Sequence, residues 1–209
     1  MAETITLAKS IKNVTDSDHS RYALGAIDCI PRETGAYVAA TDAKSLAIVE
    51  VEESTIQDRV LIPSDVISRR KTTTVEVNRN PFGGVESFND SKSDDSVPRN
   101  DGRFPATHKL AADAATIKQP VTIAIDAQVL ANLADAIRGE NNSVTLVIET
   151  DEKSVSYATN VIRVVGDNGI GLIMPVYSDE HTHQEIWSRF VDVATDYAKT
   201  VTETETATA

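Results

Sequence analysis

Residues 121–139 read Val-Thr-Ile-Ala-Ile-Asp-Ala-Gln-Val-Leu-Ala-Asn-Leu-Ala-Asp-Ala-Ile-Arg-Gly. Val121–Ile125 is rich in β-branched residues, as a strand is. Asp126 then supplies a helix cap, and Val129, Leu130, Leu133, Ala134 and Ile137 recur at helical spacing until Gly139 ends the run. Beyond it, Val144–Glu149 and Val155–Tyr157 alternate or run apolar, as strands do. Val161–Val165, the turn Asp167-Asn168-Gly169, and Ile170–Val176 predict a hairpin. The stretch is therefore one strand–helix pair followed by strands.

The same opening occurs twice more. Thr4–Leu7 precedes Ala8–Val14, and Val60–Ile62 precedes Pro63–Arg70, where Ser64 can cap and Pro63 suits a first turn. Aligning Leu7, Ile62 and Ile125 spaces the openings by 55 and 63 residues. The first helix is opposed by Asn13, Thr15, Asp16, Ser17 and Asp18, which favour a cap or loop. Tyr22–Ile30, Ala36–Thr41 and Leu46–Val51 read as three strands of one sheet. Three βα-then-β units result.

Two segments stand outside the repeat. Asn89–Gly102 is polar and reads as a long surface loop or a disordered insert. In residues 178–201, Ile186, Phe190, Val193, Tyr197 and Val201 give an amphipathic helix. Thr202–Ala209, made of Thr, Glu and Ala, is expected to be a disordered tail.

Aromatics make up 5% of the chain and apolar residues 41%, so the core must be aliphatic. The single Cys29 lies in an apolar run, which excludes a disulfide framework and fits a reducing, cytoplasmic setting. No stretch reads as a signal peptide or membrane span. The net charge of −12 argues against a surface that grips phosphate everywhere.

No catalytic constellation is apparent, so an enzyme is not expected, and neither is a cofactor. His181 and His183 near Glu180 and Glu185 suggest a metal only weakly, since no distant ligand pattern supports them; a solvated helix start is the plainer reading. Gly166-Asp-Asn-Gly169-Ile-Gly171 follows a strand but opens no helix, so the hairpin outweighs a phosphate loop.

Three segments carry a resemblance. Thr41-Asp42-Ala43-Lys44-Ser45-Leu46-Ala47 resembles the Thr-Asp-Gly-His-Arg-Leu-Ala segment of bacterial DNA polymerase III β sliding clamps. Asp101-Gly102-Arg103-Phe104-Pro105 is similar to that family's Gly-[Arg/Lys]-Phe-Pro, and Gly171-Leu-Ile-Met174-Pro175-Val176 resembles its closing Met-Pro strand. The resemblance implies an α+β, DNA-clamp-like (processivity) fold. Its repeated units form antiparallel sheets with helices on one face, here with a C-terminal helix added. Residues 1–112 would be a two-unit domain like the clamp's middle one, and 113–177 half of its last, a shortened relative. Ala43 stands where the family has glycine, Lys44 and Ser45 where it has His-Arg. The polar insert replaces the strand before Gly-Arg-Phe-Pro.

What the resemblance implies for function is protein binding. The family's segments line a groove for short linear motifs of replication and repair proteins. Here that groove would take Thr41, Ala43 and Leu46, then Pro105, Lys109 and Leu110, then Leu172, Ile173, Met174, Pro175 and Val176. The last five also read as a plain core strand. The family also presents basic side chains to DNA, which points to Arg69, Arg70 and Lys71, flanked by Arg59 and Arg79. Residues 59–81 carry a local +3, although charges answering a helix dipole read equally well. With three units per chain, a ring would need four chains. The alternatives are an oligomeric processivity ring around DNA, or a self-associating clamp-fold protein with no DNA role.

Overall fold

Thr72–Arg79 alternates buried and half-exposed residues with β-branched Thr73, Thr74, Val75 and Val77, the pattern of a strand with one face on a core. The computed structural model places it in a largely antiparallel α+β molecule and describes residues 3–15, 24–68, 70–93, 96–99, 102–116, 125–137, 143–147, 162–173 and 180–207. The elements are β1 (Glu3–Ala8), β2 (Ala26–Pro31), β3 (Ala36–Thr41), β4 (Leu46–Val51), β5 (Val60–Pro63), β6 (Thr72–Arg79), β7 (Val85–Asp90), β8 (Ser96–Pro98), α1 (Thr107–Ala115), α2 (Ala127–Ile137), β9 (Val144–Val147), β10 (Ile162–Gly166), β11 (Gly169–Ile173) and α3 (Glu180–Ala207). They fall into two compact units, Met1–Ala114 with Ala194–Ala209, and Ala115–Val193.

The first unit contains two four-stranded sheets, β1-β6-β7-β8 and β4-β3-β2-β5. Ile5, Leu7, Val75, Val77 and Phe88 from one sheet share a core with Ile27, Cys29, Val38, Ala40, Val60 and Ile62 from the other. Strand side chains alternate faces, so Asp28, Ile30, Tyr37 and Ala39 lie on the far side of the second sheet. All are nonetheless buried. The last turns of α3 cover that face, with Ala194, Tyr197 and Val201 buried at helical spacing. Sheet, sheet and helix thus form three layers.

The second unit has a three-stranded sheet, β11-β10-β9, with α2 on one face. Asp126 Oδ1 accepts from the Gln128 and Val129 amides, the expected N-cap. At the other end, the Asn168 amide donates to the Ile137 carbonyl, satisfying an orphan of the last turn. The hairpin pairs Gly166 with Gly169 around a two-residue turn, Asp167-Asn168. A Cβ on Gly166 would lie 2.4 Å from the Ile137 carbonyl oxygen, and one on Gly171 2.5 Å from Leu133. These glycines let helix and hairpin approach closely.

Several expectations are corrected. The helix over Pro63–Arg70 shrinks to a 3₁₀ turn, Ser64–Val66. Val66 and Ile67 are drawn into the sheet core, and the Ser68 amide donates to Thr73 Oγ1, turning the chain into β6. Ala8–Val14 likewise yields only a 3₁₀ helix, Lys9–Val14, ended by the Thr15 hydroxyl donating to the Lys12 carbonyl. Within Asn89–Gly102, Ser96–Pro98 pairs with β7 as a short edge strand, so the strand before Gly-Arg-Phe-Pro is present. The tail is helical through Ala207: Glu205 pairs with Arg59 at 2.9 Å, and the hydroxyls of Thr202, Thr204 and Thr206 donate to carbonyls four residues back. The helix expected within 178–201 is α3, which runs on from Glu180 to Ala207. Of the strand expected over Tyr22–Ile30, Leu24 and Gly25 form a turn and β2 begins at Ala26, while Tyr22 and Ala23 lie outside the described residues. Val121–Ala124, Gly139, Val155–Tyr157 and Val161 lie outside the described residues.

Candidate functional site

The β3–β4 turn is built by two short side chains. Asp42 Oδ1 accepts from the Lys44 amide, the Ser45 amide and the Ser45 hydroxyl. These bonds hold its carboxyl below the usual aspartate range. The Thr41 hydroxyl donates to the Ser45 carbonyl at 2.6 Å and accepts from the Ala43 amide at 3.1 Å. Ala43 is thereby held at φ 71°, the left-handed region that favours glycine.

Beside this turn runs Gly102–Ala106, which enters α1. Phe104 is buried as its anchor, and α1 buries Thr107, His108 and Ala111. Together turn and helix enclose an open pocket of about 530 Å³ lined by Leu24, Thr41, Ala43, Lys44, Ser45, Leu46, Arg103, Pro105, Thr107 and Leu110. Leu110 is 63% exposed there, an apolar side chain left wet beside a buried floor at Leu24. The charged lining residues are both basic, Lys44 and Arg103.

Five sequence-predicted groove residues meet in this pocket: Thr41, Ala43, Leu46, Pro105 and Leu110. Lys109 is exposed on α1 but does not line it. Leu172 and Ile173 belong to the other unit, where strand alternation separates them. Ile173 is buried in the core under α2, whereas Leu172 is 68% exposed. Met174, Pro175 and Val176 lie outside the described residues. Leu24 and Thr107 were missed. Leu24 gave no periodic signal, but Thr107, two residues after Pro105, is a readable helix start.

The basic stretch fares differently. Arg70 pairs with Asp90 at 3.5 Å, Arg59 with Asp28 and Glu205, and Arg79 with Glu3 and Asp58. Lys71 is exposed, and Arg69 lies outside the described residues. Three of the five cations are therefore engaged by carboxylates, not displayed on a helix. Among the described residues no cluster of three or more His, Cys, Asp and Glu could hold a metal. No described helix is long and apolar enough to cross a membrane.

Solved structures match the fold. The fold is that of bacterial sliding clamps. The sliding clamp (DNA polymerase III subunit beta) of Bartonella birtlesii bound to griselimycin aligns over 95% of this chain and 57% of its own, at 14% identity and TM-score 0.55. The DNA polymerase III beta chain of Streptococcus pneumoniae aligns over 85% and 50%, at 16% identity and TM-score 0.53. The Caulobacter crescentus beta sliding clamp aligns over 91% and 56%, at 14% identity and TM-score 0.51. The chain spans about half the length of the clamps it matches. No protein-family model and no curated protein matches the sequence.

Proposed function

We propose that this chain is a clamp-like binding protein, not an enzyme, that takes short linear motifs of replication or repair proteins in the pocket between the β3–β4 turn and α1. The observation that supports this reading is the convergence of Thr41, Ala43, Leu46, Pro105 and Leu110, from two separated motifs, on one apolar pocket with an exposed leucine. Apolar walls suit an aliphatic or aromatic anchor, and Lys44 with Arg103 suits an acidic residue beside it. Ordering such a peptide limits affinity to roughly the micromolar class. Encirclement of DNA draws no comparable support, because Arg59, Arg70 and Arg79 are paired to carboxylates.

A fluorescein-labelled decapeptide carrying Asp followed by Leu and Phe is the direct test, with griselimycin as a second probe. Wild-type protein should bind the peptide by anisotropy. Leu110→Asp should weaken binding at least about tenfold while thermal melting stays unchanged, since a wet side chain contributes little to the fold. Equal binding by that variant removes the assignment.

A further inference from the structure

We infer that Tyr197 of α3 is a positioning residue for the pocket: its hydroxyl fixes the first turn of α1 through Thr107. The inference rests on the pocket being the binding site. Thr107 lines the pocket and is 2% exposed, and its Oγ1 lies 2.7 Å from the wholly buried Tyr197 hydroxyl. The nine residues of α1 are too few to hold a helix by local bonds alone, so tertiary anchors set where it starts. The Thr107 amide is already used, donating to the Pro105 carbonyl. The side-chain bond to Tyr197 therefore ties the Pro105–Thr107 corner to α3. Leu110, one turn on, moves with that corner.

Tyr197 is in turn seated against the second sheet. Its ring meets Tyr37 edge-on at 5.7 Å between centroids. The Tyr37 hydroxyl donates to Asp196 Oδ2 at 2.7 Å, and the Arg32 guanidinium lies 4.3 Å over the Tyr37 ring while reaching Asp196 at 3.7 Å. Two turns on, Glu205 pairs with Arg59. The helix end is thus rigidly seated on the second sheet, and a hydroxyl on so fixed a ring can set the position of a shorter helix. The last turns of α3, far in sequence from both pocket motifs, act as the pocket's strut.

Tyr197→Phe removes the hydroxyl and keeps the ring, so the fold should persist. Two readouts apply: titration with the labelled decapeptide, and amide hydrogen exchange across Thr107–Ala115. Loss of one buried bond predicts peptide binding weakened about fivefold and faster exchange in α1, with exchange in β2 and β3 unchanged. Thr107→Val should match Tyr197→Phe, the double variant should be no worse than either, and Thr107→Ser should restore wild-type values. Unchanged α1 exchange in Tyr197→Phe overturns the positioning role. So does unchanged affinity in a variant whose wild type binds. If wild type binds no peptide while Tyr197→Phe still frees α1, the strut stands and the peptide-binding reading falls.

Discussion

Ala43 sits at φ 71° with an exposed side chain, in a turn already closed by Thr41 and Asp42. A left-handed L-residue costs about 1–2 kcal/mol, part of which glycine returns as unfolded-state entropy. Ala43→Gly should therefore stabilise the protein by about 0.5–1 kcal/mol, read as a rise of about 1–4 °C in melting temperature. Asp42 makes a prediction about pH. Its folded carboxyl titrates below the ordinary value of 3.8, so its contribution is present above that value and lost as pH falls through the lower folded one. Asp42→Ala should lower urea stability at about pH 7 and pH 5 alike, with the difference from wild type closing below 3.8. A gap persisting fully in stronger acid contradicts this account. At this scale the sequence was informative. The Thr41–Leu46 turn was legible because its short polar residues act through their own backbone, whereas its closeness to Gly102–Pro105 was implied only by the resemblance to bacterial sliding clamps.

Among elements, α2 and its hairpin were legible: a strong helical period, a capping aspartate and turn residues all agree there. The predicted helices before residue 71 were not. Pro63 and Ser64 read as a helix start, but Val66 and Ile67 bury better as turn residues against the two-sheet core, and tertiary packing overrides propensity. β8 was invisible because three residues, one of them Pro98, carry too little pattern and Pro suits an edge. The helical tail was hidden by its Thr and Glu composition, since its partner Arg59 lies 146 residues away. The close approach of α2 to the hairpin gives a graded test. Gly166→Ala would drive a methyl into the Ile137 carbonyl and should cost about 1–3 kcal/mol. Gly169→Ala meets Ile137 only at ordinary contact distance, 3.6 Å, and should stay within about 0.5 kcal/mol. Denaturant melts of the two variants that coincide would contradict the packing described.

For the molecule as a whole, the ion pair between buried Asp28 and half-buried Arg59 joins the second sheet to the end of α3. Arg59 Nε and Nη2 donate to Asp28 at 2.9 and 3.0 Å while Nη1 reaches Glu205. Burial pushes the Asp28 carboxyl upward, against the pull of the guanidinium. Arg59→Ala strands a buried carboxylate and should destabilise by about 3–5 kcal/mol; adding Asp28→Asn should return a good part of that. Thermal melting checks both, and a loss of less than about 1 kcal/mol would make the pair a surface-like ornament.

The seating of α3 on this sheet also has a temporal side. Tyr37 and Asp196 are 159 residues apart in the chain, so the outer face of the second sheet stays bare while the residues between them are being made. On the ribosome, the N-terminal sheets would emerge with Tyr37, Ile30 and Asp28 uncovered. The unit that begins with β1 is thus completed only after the whole of Ala115–Val193 has been made, because its closing helix turns follow that stretch in the chain.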